Sequence, residues 1–211
     1  MSKFEIVPGL IFVNREGWKP NTGLPRLGGL VEPSARTHVI IHHTVTPDND
    51  ASPNVWEDEG EVFARMRALQ IVRPDLGLDV SYNFVAFLFD SDALMICEGR
   101  GEDRVGAHTK GHNTAGIAIS FAGNFEGAAI SDSAIAKRMP LLSRFLGWLK
   151  FSASLPGQPP HRPLKNLGSL RPSDRNVFFH KDFKNTACPG KLIEPHLNTV
   201  DFIARELPPI A

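Results

Sequence analysis

A histidine and a cysteine stand close together in His180-Lys181-Asp182-Phe183-Lys184-Asn185-Thr186-Ala187-Cys188-Pro189-Gly190. The apolar run Val177-Phe178-Phe179 precedes them and Pro189-Gly190 follows, the pattern of a strand, a polar loop and a turn. Two such residues bracketing one loop can face one ion. Zinc accepts imidazole nitrogen and thiolate sulfur, and a catalytic zinc takes three protein ligands with one position left for water. The third ligand must come from elsewhere. Thr37-His38-Val39-Ile40-Ile41-His42-His43-Thr44 offers it, because His42 and His43 end a short apolar run suited to a buried strand. Strand ends are where α/β folds gather their chemistry. Adjacent strand residues point to opposite faces, so only one of the two histidines is the expected ligand.

The elements that must hold these residues follow from the apolar pattern. Gly9 to Val13 reads as a short strand, and the Gly- and Pro-rich stretch up to Pro33 as an irregular arm anchored by Trp18. A helix is expected from about Val55 to Ile71, capped by Ser52 or Asn54, with Trp56, Gly60, Phe63 and Met66 on its apolar face. Val80 to Phe89 and Ala93 to Glu98 form a hairpin about Asp90-Ser91-Asp92, and the first of these strands carries Tyr82, the only tyrosine. Ala115 to Phe121 suits a central strand. Ser133 to Phe151 reads as a helix with Ile135, Met139, Leu142, Phe145 and Leu149 on one face, kinked or split by Pro140. Residues 155–175, with five prolines, form a long loop. A last helix runs from about Leu192 to Glu206. The alternation of strands and helices predicts an α/β fold, a single domain over 1–211 with a central mixed β-sheet flanked by helices and residues 1–36 packed on it.

Composition narrows the function classes. The chain has 211 residues, 42% hydrophobic and 22% charged, the profile of an ordinary soluble domain. Its formal net charge is +0, so nothing draws it to nucleic acid or to an acidic membrane. A monomer is the expected oligomeric state. No apolar run is long enough to span a bilayer. Glu5 and Pro8 interrupt the N-terminal stretch, which is therefore not read as a signal peptide. Cys97, within Ala93-Leu94-Met95-Ile96-Cys97, reads as a buried small apolar residue and not as a disulfide partner of Cys188. His38, His161 and His196 fit no motif and are expected at the surface.

Four segments, in order, resemble the zinc-dependent N-acetylmuramoyl-L-alanine amidases, the family of the amidase-type phage lysozymes and the peptidoglycan recognition proteins. They are Ile40-Ile41-His42-His43-Thr44, Val80-Ser81-Tyr82-Asn83-Phe84, Gly106-Ala107-His108-Thr109-Lys110-Gly111-His112-Asn113 and His180 through Gly190. Asn14-Arg15-Glu16-Gly17-Trp18 looks like a fifth. Each motif alone is weak; four in register are specific. The resemblance implies the peptidoglycan-recognition-protein-like amidase fold, a zinc ion held by His42, His180 and Cys188, and a catalytic Tyr82. Thr186 stands where some phage enzymes have lysine and others threonine. Asn83 departs from the family, many of whose members have histidine there.

The residues make chemical sense in those roles. Zinc lowers the pKa of bound water to about 7 and polarises an amide carbonyl. Amide hydrolysis also needs donors for the tetrahedral oxyanion and a proton for the leaving amine. Tyr82 suits either task, and Thr186 suits the oxyanion. His43 is expected behind the site, and His108 and Asn113 against the substrate. The expected partner is bacterial peptidoglycan, cut between N-acetylmuramic acid and L-alanine. The expected setting is a phage endolysin, made in the host cytoplasm and acting on the wall after release. The alternatives are a cytoplasmic muropeptide-recycling amidase, whose relatives usually have aspartate in place of Cys188, and a binding module that does not cut, which would typically lack that cysteine.

Overall fold

The computed structural model describes residues 2–45, 55–127, 130–152, 161–167 and 176–196. Among these described residues there are eight strands: β1 (Lys3–Val7), β2 (Leu10–Val13), β3 (His38–His43), β4 (Val55–Trp56), β5 (Phe84–Phe89), β6 (Leu94–Glu98), β7 (Gly116–Phe121) and β8 (Val177–Phe179). The helices are α1 (Glu59–Leu69), α2 (Asp132–Ala136) and α3 (Met139–Phe151). One mixed sheet runs β1-β2-β6-β5-β7-β3-β8, with β4 paired to β5 off that path. The pairs β1–β2 and β5–β6 are antiparallel, and the others are parallel. Among the described residues no helix is long and apolar enough to cross a membrane.

Both faces of the sheet are covered, so its central strands are apolar throughout. Along β5, Phe84, Ala86 and Leu88 enter one core, and Val85 and Phe87 enter the other. Along β6, Leu94 and Ile96 alternate in the same way with Met95 and Cys97. Cys97 is fully buried, as its apolar neighbours imply. The first core is sealed by α2 and α3, which contribute Ile135, Met139, Leu142, Phe145 and Leu149. Pro140 divides these helices by opening α3, where its missing N–H costs nothing, while Ser131 caps α2 through Ala134 N. The second core is closed by Val62, Met66 and Leu69 of α1 and by Trp18.

Four expectations change. The first long helix starts at Glu59, capped by Asp58, which accepts from Glu61 N; Ser52 and Asn54 lie outside the described residues. Trp56 belongs instead to β4, in register with Phe89, and Gly60 faces solvent. Tyr82 precedes β5, on an irregular segment. His161 is buried: it stacks on Trp148 at 4.4 Å and its Nε2–H donates to the Leu149 carbonyl at 2.8 Å. Of the expected last helix, Glu194–His196 forms one 3-10 turn and residues 197–206 lie outside the described range. An unforeseen strand, β1, precedes β2 and pairs with it. Trp18 anchors the arm as expected, fully buried with Nε1–H donating to the Glu98 carbonyl at 2.7 Å.

Candidate metal centre

Sheet register brings the two histidines together. In the parallel pair β3–β8, Ile41 lies opposite Phe179, so the next residues, His42 still within β3 and His180 just past β8, stand side by side. Their rings stand 4.6 Å apart between centroids. The loop after His180 then returns, with Lys181 N donating to the Cys188 carbonyl at 3.1 Å. That turn carries the Cys188 sulfur to 3.6 Å from His42 Nδ1. Ligating atoms of His42, His180 and Cys188 all lie within 4.8 Å of one another. His43, one residue on, faces the other way, and its Nδ1 accepts from Phe125 N at 3.2 Å. The register of β3 against β8, with the strand's period of two, thus selects His42.

The trio fits a zinc ion. Bond lengths of about 2.0 Å to nitrogen and about 2.3 Å to sulfur at a tetrahedral angle put the two ligand atoms about 3.6 Å apart, the separation found here between His42 and Cys188. Burial holds the pKa of His42 well below its ordinary value, helped by the neighbouring His108, and burial lowers His180 as well. Both imidazoles are therefore neutral near pH 7, the form a metal requires. Burial pushes the Cys188 thiol up to about 11, opposed by the His43 N–H that donates to its sulfur at 3.4 Å. A divalent cation replacing the thiol proton would remove that penalty.

The surroundings fix His42. With Nδ1 turned to Cys188, its Nε2–H points to His108 Nδ1 at 3.2 Å, and Thr109 Oγ1 lies 3.5 Å from the same nitrogen. Burial holds the pKa of His108 down to about 3, so it stays a neutral acceptor. His108 borders the cleft, and it also orients a candidate ligand, a role the sequence did not suggest. Asn113 is placed otherwise than expected. Its carboxamide oxygen accepts from both His108 N and Thr109 N at 2.9 Å, which shapes this loop and leaves no oxygen lone pair plainly free for a substrate.

A cleft of about 500 Å³ opens over the trio, walled by Tyr82, Thr186, Glu126 and the apolar side chains of Val45, Val72 and Leu76. Tyr82 faces His42 with centroids 5.3 Å apart. Burial and the nearby Cys188 raise its pKa to about 12, which keeps the phenol protonated and able to donate. Thr186 Oγ1 accepts from Cys188 N at 3.3 Å, leaving its hydroxyl proton for another partner. The fully buried Asn83 lies behind: Nδ2 donates to the Gly101 and Arg104 carbonyls at 2.7 and 2.9 Å, and Oδ1 accepts from Ala118 N at 2.9 Å. It is a tie between loop and sheet, not a contact to the ligand set.

Residues 32–191 match the family model described as N-acetylmuramoyl-L-alanine amidase. The chain is 35% identical over 121 residues to peptidoglycan-recognition protein SA of Drosophila melanogaster, covering 57% of this chain and 55% of that protein. It is 31% identical over 187 residues to the N-acetylmuramoyl-L-alanine amidase of Homo sapiens, covering 88% of this chain and 27% of that one. The chain thus spans about half of the first relative and about a quarter of the second. Its fold matches peptidoglycan recognition protein-LE, solved in complex with tracheal cytotoxin, a monomeric diaminopimelic acid-type peptidoglycan. That match has a TM-score of 0.59 at 20% identity, and covers 92% of this chain and 94% of the other.

Proposed function

The chain belongs to the N-acetylmuramoyl-L-alanine amidase family, and from that premise we propose that it is a zinc-dependent hydrolase of peptidoglycan, cutting the amide bond between N-acetylmuramic acid and the L-alanine of the stem peptide. The observation that carries this reading is the convergence of His42, His180 and Cys188 in a cleft that Tyr82 and Thr186 also line. A chain that only bound peptidoglycan would have no use for a buried thiol set between two neutral imidazoles.

His42, His180 and Cys188 would hold the zinc, which when bound polarises a carbonyl and acidifies water. Everything else is done by the chain. The Tyr82 hydroxyl, neutral because it is enclosed, donates to the oxygen on which negative charge develops, or delivers its proton to the departing amine. Thr186, which also lines the cleft, adds a second donor, its oxygen already held by Cys188 N. His108 keeps the proton of His42 on Nε2 and so leaves Nδ1 free to ligate.

The test is hydrolysis of dye-labelled bacterial walls by the purified protein, read together with the appearance of new L-alanine amino termini. A chelator should abolish release and added zinc should restore it. Walls that bind the protein but release neither dye nor amine would identify a recognition module instead.

A further inference from the structure

We propose that a buried ionic network of Arg15, Asp79 and Arg100 is the positioning device for Tyr82, so that the N-terminal arm is part of the reaction's apparatus; this rests on Tyr82 being a donor in the reaction proposed above. Tyr82 sits on residues 80–83, which belong to no helix and precede the ladder of β5. Something other than secondary structure must fix them. Asp79, immediately before, is fully buried, and each of its oxygens is engaged. Oδ1 accepts from Arg15 Nη2 at 2.7 Å and from Val80 N at 2.8 Å. Oδ2 accepts from Leu27 N at 2.8 Å and faces Arg100 Nε at 3.8 Å.

The arginines carry the fixation onward. Arg100 Nε donates to the Val80 carbonyl at 2.9 Å, and Arg100 N donates to the Tyr82 carbonyl at 3.0 Å. Arg15 Nη1 donates to the Gly99 carbonyl at 2.7 Å, holding the strand end against which Tyr82 lies. The approach is close: a Cβ at Gly99 would stand 2.4 Å from the Tyr82 carbonyl oxygen. The segment before the tyrosine is thus set by side chains of a distant arm and loop, and the tyrosine's own carbonyl by the Arg100 backbone N–H. Buried ion pairs generally stabilise a fold less than apolar packing of the same volume, because desolvation offsets the attraction. Their placement directly under the one tyrosine is better explained by the geometry they impose.

Because the chain has a single tyrosine, 3-fluorotyrosine labelling gives one ¹⁹F resonance that reports on Tyr82 alone. The experiment compares Arg15→Met, Arg15→Lys, Tyr82→Phe and the Arg15→Met/Tyr82→Phe double variant on a soluble muramyl tetrapeptide, with zinc content measured throughout. Arg15→Met should shift or broaden the ¹⁹F resonance and lower kcat by up to about 10²-fold at nearly unchanged KM and full zinc, since small misplacements cost that much. Arg15→Lys, which keeps the charge, should recover part of the loss and serves if the methionine variant fails to fold. In the Tyr82→Phe background Arg15→Met should cost nothing further in kcat. An unchanged resonance and kcat with only a lower Tm, or fully additive losses, would overturn the proposal. A silent Tyr82→Phe would overturn the reading of Tyr82 itself, and this inference with it.

Discussion

At the scale of single residues, if the trio holds zinc as proposed, substitutions should separate the groups that hold the metal from those that act beside it. Tyr82→Phe keeps the ring and its packing, so zinc content should stay near one per chain while the rate of wall hydrolysis falls about 10²–10³-fold, the usual cost of one donor to the transition state. Cys188→Ser should lose zinc as well as activity, because a hydroxyl is a poor substitute for a thiolate. Full activity in a zinc-replete Tyr82→Phe protein would remove the phenol from the mechanism. His108 allows a finer test, through its Nδ1 facing His42 Nε2 at 3.2 Å. His108→Leu removes the acceptor and should weaken zinc binding about 10–100-fold, while His108→Asn offers an oxygen near the same place and should lose less. Competition with a chromophoric chelator measures both, and equal affinities for the two variants would contradict an orienting role.

At the scale of elements, the site is a consequence of parallel pairing. β8 and β7 flank β3, so the C-terminal ends of β3 and β8 lie together and the following residues meet over one end of the sheet. The loop carrying His108 is tied down separately. Arg36, fully buried, donates to the Glu102, Thr114 and Gly116 carbonyls at 3.0, 2.8 and 2.9 Å. Asn83 adds the tie from loop to β7 through Ala118 N. Asn83→Leu would strand a buried N–H and two carbonyls, so it should destabilise the protein by about 3 kcal/mol or more, at about 1–3 kcal/mol for each unsatisfied group. Denaturant unfolding of the two proteins measures this; a loss below about 1 kcal/mol would mean that water or a loop shift satisfies those groups.

At the scale of the whole molecule, the buried histidines set the response to acid. His38 and His43 are lowered to about 4 and His108 to about 3, in each case first by burial, and His42 is held well below its ordinary value by the same cause. The unfolded chain binds these protons near pH 6.5 and the folded one does not, so stability is full above that value and is lost as pH falls from about 6.5 toward about 4. The enclosed His42 adds to the slope in the same sense. Thermal melts of the chelated protein between pH 7 and pH 4 should show a steadily falling Tm, and a flat profile would contradict neutral burial. The sequence by itself determined the strands of the central sheet, the split at Pro140, the burial of Cys97 and the residue types of the candidate metal set, because these follow from local periodicity and from what an ion accepts. It also required that His42 and His43 face apart. Which of the two meets His180 was decided by the tertiary structure, since that depends on the register of β3 against β8, strands that share no local signal. The same holds for Trp56, drawn into β4 by pairing with β5, for His161, buried by a segment that packs on α3, and for Asn113, turned inward to its own loop. It holds most for Arg15 and Asp79, 64 positions apart, because a buried charge network exists only once the arm, the loop and the tyrosine segment have been brought together.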